Sequence, residues 1–423
     1  MTIRKKIIFA FILLLPSLLR AQEIPSWKEG WMDIHHIATG KGENSFFVFP
    51  DGTTMLVDLG DETNGRFKCP AYPNASRTPA QWVARYIEHF AAGTPGKASD
   101  VDYFLLSHFH SDHMGSPKAM RPGAHYGLCG VTDVGESIHF GKIVDRAYPD
   151  YESVTANKIV KDEYAKYVAY QVENCGTKAE RFKIGSTEQF SLRHDPKPYR
   201  KNFEVRNIAS NGYLTTGKGS KTRPMFRNED RSMYDENMLS NVFIINYGPF
   251  RYFNGGDLGG GVAMGDDNWR KKRQQQRRVL GGGDAMCDDN WWRDFESQVA
   301  DVVGPVTAMK ANHHGWKDVM NPYMLAVMQP DAVVAICSHI NHPWKATVQR
   351  MSDHLYPKQI DLYATTDSGR EQVGPELFDA KVKPCGHIVI RVYEGGTSYQ
   401  IFVLDAKSTD YKIVYSTDII SVK

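Results

Sequence analysis

The stretch Ser107-His108-Phe109-His110-Ser111-Asp112-His113-Met114-Gly115 sets three imidazoles and a carboxylate within six positions. Neutral imidazole and carboxylate are donors that suit zinc, and also manganese or iron. His108 and His110 are two apart, so in an extended turn they face the same way. Asp112 and His113 then aim at a second position nearby. One cation needs only part of this set, so the cluster points to two. Further along, acids and imidazoles recur in short polar words: Gly255-Gly256-Asp257, Asn312-His313-His314-Gly315, Ser338-His339-Ile340-Asn341-His342-Pro343 and Thr365-Thr366-Asp367-Ser368-Gly369.

These words need a frame that delivers them to one place. The apolar run Val101–Leu106 stands directly before the His cluster and reads as a buried strand emptying into a loop. Asn241–Tyr247 and Phe250–Phe253 read as a hairpin about Gly248-Pro249, its second strand ending at Asp257. Asp331–Ile336 and Ile360–Ala364 read as strands that end at Ser338 and Asp367. Upstream, Met32–Ala38 is a strand, and Ser45–Phe49 with Thr54–Leu59 forms a hairpin around Pro50-Asp51-Gly52-Thr53. Asp58 lies at the end of that hairpin. Thr78-Pro79 opens a helix that runs to about Ala92. A second helix starts near Ser153 and takes in Tyr164 to Tyr170. Glu204–Ile208 is strand-like, whereas Ala209 to Arg231, rich in Gly, Ser, Lys and Arg, reads as a flexible loop. Lys310, inside an apolar segment, is expected to snorkel to water. His387–Tyr393 and Ser398–Leu404 close the chain as a hairpin. Strands that end repeatedly in His, Asp or Asn, with helices between some of them, fit a layered α/β sandwich with its chemistry at one edge.

The N-terminus carries Arg4-Lys5-Lys6, an apolar run from Ile7 to Leu19, and Ala21 at a cleavage point. The run is about 13 residues, too short for a helix to cross a ~30 Å hydrocarbon core, and Pro16 interrupts it. The reading is a signal peptide over residues 1–21, then a single exported domain over 22–423, periplasmic or secreted, with no stable membrane anchor. With 423 residues, 41% of them apolar, a full core is available. The net charge of +2 argues neither for nor against nucleic acid. Arg270-Lys271-Lys272-Arg273 and Arg277-Arg278 read as a solvated surface loop, with contact to a polyanion as the alternative. Aromatics do not interleave with these basic residues at groove spacing, so nucleic acid is a possible partner and not an established one. The six cysteines are scattered with no C-x-x-C pair, and Cys337 sits in an apolar run as a core residue.

His108-x-His110-x-Asp112-His113 resembles the metal signature of the metallo-β-lactamase fold superfamily. Gly40-Lys41-Gly42-Glu43, Pro50-Asp51-Gly52, Leu56-Val57-Asp58-Leu59-Gly60, Asn237-Met238-Leu239-Ser240, Gly255-Gly256-Asp257, His313-His314-Gly315, Asn341-His342-Pro343 and Thr365–Gly369 follow in an order similar to the hydrolase domain of ComEC-type competence proteins. The likeness covers residues 32 to 405, apart from insertions at about 61–98, 121–235 and 259–300. It implies a four-layer αββα sandwich and a free-standing hydrolase, without the membrane pore of the competence protein. It also implies a ligand set. His108 and His110 hold the first metal, Asp112 and His113 the second, and Asp257 bridges both. His313 completes the second site, with His314 the alternative for that role. Asp58 orients the His loop, and Ser338 and Asn341 support the site. Asp112, His342 and His314 are the catalytic candidates. The superfamily usually adds a third His to the first metal. His125, His139 and His194 lie in the right interval without fitting context, and the corresponding segment reads Ile208-Ala209-Ser210-Asn211-Gly212. The first site is therefore expected to have two imidazoles and Asp257, aided by Asn211 or water.

The implied cofactor is two Zn²⁺, with Mn²⁺ or Fe as substitutes. Two such cations lower the pKa of a bridging water, so that hydroxide exists near neutral pH. In-line attack on a phosphodiester suits that clamp, with His342 bonding the phosphoryl oxygen or protonating the leaving group. The substrate class is a phosphodiester, small or polymeric. A lactone or β-lactam on the same site is one alternative, and a metal-poor binding or scaffold protein is another.

Overall fold

A computed structural model of the chain describes residues 22–62, 69–226, 234–261, 293–352 and 358–422. In chain order its strands are β1 (Met32–His36), β2 (Ser45–Val48), β3 (Thr54–Val57), β4 (Asp100–Leu105), β5 (His139–Asp145), β6 (Lys178–Arg181), β7 (Phe203–Ser210), β8 (Tyr213–Thr215), β9 (Thr222–Pro224), β10 (Val242–Tyr247), β11 (Phe250–Asn254), β12 (Ala308–Lys310), β13 (Ala332–Ala335), β14 (Asp361–Ala364), β15 (His387–Val392), β16 (Ser398–Leu404), β17 (Ile413–Ser416) and β18 (Ile420–Ser421). One sheet runs β17-β16-β15-β1-β2-β3-β4-β5-β6, with β18 beside β16. The other runs β14-β13-β12-β11-β10-β7-β8-β9.

Each sheet contains a parallel block, β3 to β6 in the first and β11 to β14 in the second. Parallel neighbours end at the same edge, so the loops that follow them cluster there. Asp58 follows β3 and the His cluster follows β4. Asp257 follows β11, His313 and His314 follow β12, Ser338 and His342 follow β13, and Asp367 follows β14. The words picked out by residue type are the outflow of these parallel strands.

The sheets meet face to face. Met32, Ile34, Phe47, Met55, Tyr103 and Leu105 of the first interlock with Val205, Phe243, Ile245, Tyr252, Val334 and Tyr363 of the second. Each such side chain buried contributes about 1.5–3 kcal/mol. The helices Pro79–Phe90 and Lys158–Asn174 cover the outer face of the first sheet. Glu296–Val303, Pro322–Met328 and Lys345–Ser352 cover the outer face of the second. The four-layer αββα sandwich expected from the sequence is the fold observed.

The helix at Pro79 begins as read. The Thr78 hydroxyl accepts from Gln81 N–H, and the Gln81 side chain accepts from Thr78 N–H, both at 3.2 Å. The second helix starts at Lys158, capped by Asn157, later than Ser153. The loop expected from Ala209 to Arg231 contains β8 and β9 instead. Gly212, with φ of 73°, turns the chain, and Leu214 drops into the core beneath the second sheet. Strands of three residues amid polar flanks leave little periodicity to read. The signal segment, the basic run 270–278 and Cys287 lie outside the described residues. Among the described residues no helix is long and apolar enough to cross a membrane.

Candidate metal centre

Asp58 shapes the His loop. It ends the hairpin with a left-handed φ of 60°, which swings its carboxylate under the end of β4. Its Oδ1 accepts from Ser107 N–H and its Oδ2 from the Ser107 hydroxyl, both at 2.6 Å. Oδ2 also takes the Nδ1–H of His113 at 2.8 Å. Because the Ser107 hydroxyl gives its proton to Asp58, its oxygen is left to accept from His108 Nδ1–H at 3.0 Å. Both imidazoles thereby hold a proton on Nδ1 and turn Nε2 inward. Neighbouring backbone holds the loop against the first sheet. Leu59 N–H donates to His113 O at 2.8 Å, and Glu43 N–H donates to Asp112 O at 2.7 Å. Gly60 permits this approach, since a Cβ there would lie 1.9 Å from Asp112 O.

The second sheet supplies the opposing groups. His313 and His314 both adopt left-handed backbone, at φ of 44° and 55°. His314 is fully buried, and its Nδ1–H donates to Ile336 O at 2.7 Å. Its Nε2 stands 3.1 Å from Asp112 Oδ2 and 3.3 Å from His113 Nε2. Asn312 is anchored beside it by the buried Glu296, which accepts from Asn312 Nδ2 at 2.8 Å. Asp257 follows two glycines. Its N–H donates to the Ser240 hydroxyl at 3.1 Å, and its Oδ2 faces the imidazoles.

The centre is best described around that one oxygen. His113, His314, His108 and His313 each bring Nε2 to it, at 3.1, 3.5, 3.8 and 3.9 Å. Glu43, His113, Asp257 and His314 offer ligand atoms that all lie within 4.8 Å of one another. Imidazoles with their protons fixed on the far nitrogen, converging on a buried carboxylate, are arranged to receive a divalent cation. The residues fit such a group. Burial by itself would raise the carboxyls of Asp112 and Asp257, but nearby imidazoles outweigh it and hold both well below the usual carboxylate range. Both are therefore ready as anionic donors.

The remaining residues fall into place around this core. His110 is half-buried, with Nδ1 3.2 Å from His108 Nε2. His313 is partly exposed and lies 3.3 Å from Asn237 Nδ2. The Ser338 hydroxyl reaches Asp112 Oδ2 at 3.4 Å. His342 is buried and stacks on His314 at 4.7 Å between ring centroids, 12° from parallel. Its Nδ1 has no hydrogen-bond partner among the described residues. Asn341 is half-buried and makes no hydrogen bond to the cluster among the described residues.

Two sequence expectations change. Asn211 does not aid the first position. Its amide is held on both sides by Arg146, which donates to Oδ1 and accepts from Nδ2, each at 2.9 Å. Arg146 also grips Glu236 in a buried two-pronged pair at 2.7 and 2.5 Å, and Glu236 accepts from Phe109 N–H in the His loop at 3.0 Å. A structural network stands where a third imidazole was sought. His125, His139 and His194 are engaged elsewhere, with Tyr170, Cys175 and Asp102. Lys310 does not snorkel. It is fully buried, with Nζ 3.0 Å from Glu43 Oε2 and 3.4 Å from Asp257 Oδ1. Sequence reasoning passed over Glu43 as a residue of the site. The one signal for the pair was a lone lysine in an apolar strand just ahead of His-His.

No protein-family model matches this chain, and no curated protein is detectably similar to it. Among solved structures, it is similar to the metallo-beta-lactamase fold protein YhfI from Bacillus subtilis, at 10% identity over 79% of this chain and 96% of that one, with a TM-score of 0.34. Unliganded yeast PDE1 aligns at 8% identity over 86% of this chain and 100% of that one, with a TM-score of 0.31. A point mutant of CmlA beta-hydroxylase aligns at 12% identity over 77% of this chain, with a TM-score of 0.34. This chain spans only 48% of the hydroxylase's length. Overlaps this loose say nothing of activity. From its own geometry, the chain is an αββα sandwich with a buried imidazole–carboxylate centre at the edge where its parallel strands end.

Proposed function

We propose that this chain is an exported, divalent-metal-dependent hydrolase of the ComEC-like kind that cleaves phosphodiesters. The observation that supports the metal centre is the convergence of four imidazole Nε2 atoms on Asp257 Oδ2. His113, His314, Asp112 and Asp257 would hold one cation, and His108 and His110, sharing Asp257, the other. Zinc suits these donors best. Bound divalent cations supply Lewis acidity and lower the pKa of water. The chain's own residues do the rest. Asp58 and Ile336 O keep the protons of His113 and His314 on Nδ1. Burial first, and then the adjacent His314, keep His342 well below the usual imidazole range. A neutral ring with Nδ1 unengaged suits hydrogen bonding to a phosphoryl oxygen and not delivery of a proton to the leaving group. His110 and His313, the partly exposed imidazoles of the cluster, would face an incoming substrate.

Zinc- or manganese-loaded protein should hydrolyse bis-p-nitrophenyl phosphate, and Asp257→Asn should abolish that turnover while leaving the fold intact by circular dichroism. Turnover of nitrocefin or a lactone with an inert phosphodiester would instead assign the site to acyl substrates. A chain that takes up less than one metal and cleaves neither would be a scaffold. DNA in the same panel decides whether the substrate is a nucleic acid. Export predicts a mature chain whose intact mass corresponds to a start at Gln22.

A further inference from the structure

The two oxygens of Asp257 face different company. Oδ2 meets the imidazoles, whereas Oδ1 meets the ammonium of Lys310, at 3.4 Å. That ammonium is fixed by three further groups. It donates to Gly256 O at 2.6 Å and to Ala311 O at 3.0 Å, and it stands 3.0 Å from Glu43 Oε2. Glu43, Lys310 and Asp257 are all within 1% of full burial. Glu43 Oε2 also lies 3.5 Å from Nδ1 of His314, the nitrogen turned away from the imidazole cluster. Glu43, although one of its oxygens lies within 4.8 Å of ligand atoms of His113, Asp257 and His314, thus approaches from the Nδ1 side of His314, away from the nitrogen that faces Asp257 Oδ2. Water does not screen this row, so each charge acts on the next more strongly than it would in solvent.

We propose that Glu43 and Lys310 are a positioning pair for Asp257. Lys310 occupies Oδ1, so that Asp257 offers cations a single oxygen, and Glu43 draws part of the ammonium's charge away so that this oxygen stays a strong donor. The inference rests on the metal centre proposed above.

The pair gives a signed expectation. Glu43→Gln keeps the shape, removes a negative charge and leaves Lys310 to act on Asp257 alone. Both effects weaken cation binding. Removing the ammonium as well, in Glu43→Gln with Lys310→Met, should restore it, because no unshared positive charge remains. Co²⁺ titration of the full-length apo protein, followed by Zn²⁺ competition against a chelator, reads this directly. Glu43→Gln is expected to lose about 10- to 100-fold in affinity, the usual range for residues that stand behind ligands. The double variant should bind at least as tightly as wild type, with a visible Co²⁺ spectrum altered by the freed carboxylate. A pair that merely filled space would move neither affinity. Equal affinities in wild type and Glu43→Gln overturn this inference alone. A wild-type chain that binds no Co²⁺ overturns the metal centre with it. Should Glu43→Gln fail to fold, the double variant decides by itself, since a fall in its affinity below wild type contradicts the proposal.

Discussion

Asp58 sets the protonation pattern of the centre without facing its interior. It accepts from Ser107 and His113 together, and so decides which nitrogen of two imidazoles faces the centre. Asp58→Asn should keep the fold yet weaken zinc binding by about 10- to 100-fold, measured by chelator competition. Glu236 holds the other flank of the loop. Glu236→Ala would strand the buried Arg146 guanidinium, at a cost of about 3–5 kcal/mol read from the denaturant midpoint. That His108, His110, His113 and Asp257 gather at one place was readable from sequence, because imidazoles and acids just after apolar runs have few other reasons to be there. Glu43 and Lys310 were not. A carboxylate in a Gly-rich turn and a lysine near a strand end normally face water, and only the meeting of the two sheets turns them toward each other.

At the level of elements, hydrophobic runs and turn chemistry gave the hairpins, the parallel strands and the capped helix at Pro79. Thr78 serves that helix twice, capping it and donating to Asp133 at 2.6 Å. Thr78→Ala should cost about 0.5–2 kcal/mol in thermal or chemical denaturation. The β8–β9 ribbon escaped notice because its strands are shorter than any period they would need to show. The first sheet also buries three imidazoles away from the centre. Burial holds His35, His36 and His387 neutral, lowering them to about 4, 3 and 3. In the unfolded chain each titrates near 6.5. A folded value below the unfolded one means stability that is complete above the unfolded pKa and is lost as pH falls toward the folded one. His387→Gln retains an acceptor for Ala38 N–H. Between pH 6.5 and 4, wild type should lose about 1.4 kcal/mol per pH unit relative to that variant. Parallel stability curves in urea would contradict this.

For the whole molecule, the architecture was legible because strands and interleaved helices leave few ways to cover two sheet faces. The surroundings of the first metal position were less so, since they depend on how Arg146, just past β5, reaches the turn after β7. A cation that binds only the folded chain adds to its stability, by about 2.7 kcal/mol at a free concentration 100 times its Kd. Chelation should lower the melting temperature accordingly. His108 and His113 follow a strand of one sheet, and Asp257 and His314 follow strands of the other. An ion held among them is a rivet through both halves of the sandwich, placed at one rim. Stripping it should let that rim breathe, with amide exchange quickening at the ends of β4, β11 and β12 while β9 and β17 on the far flanks keep their pace.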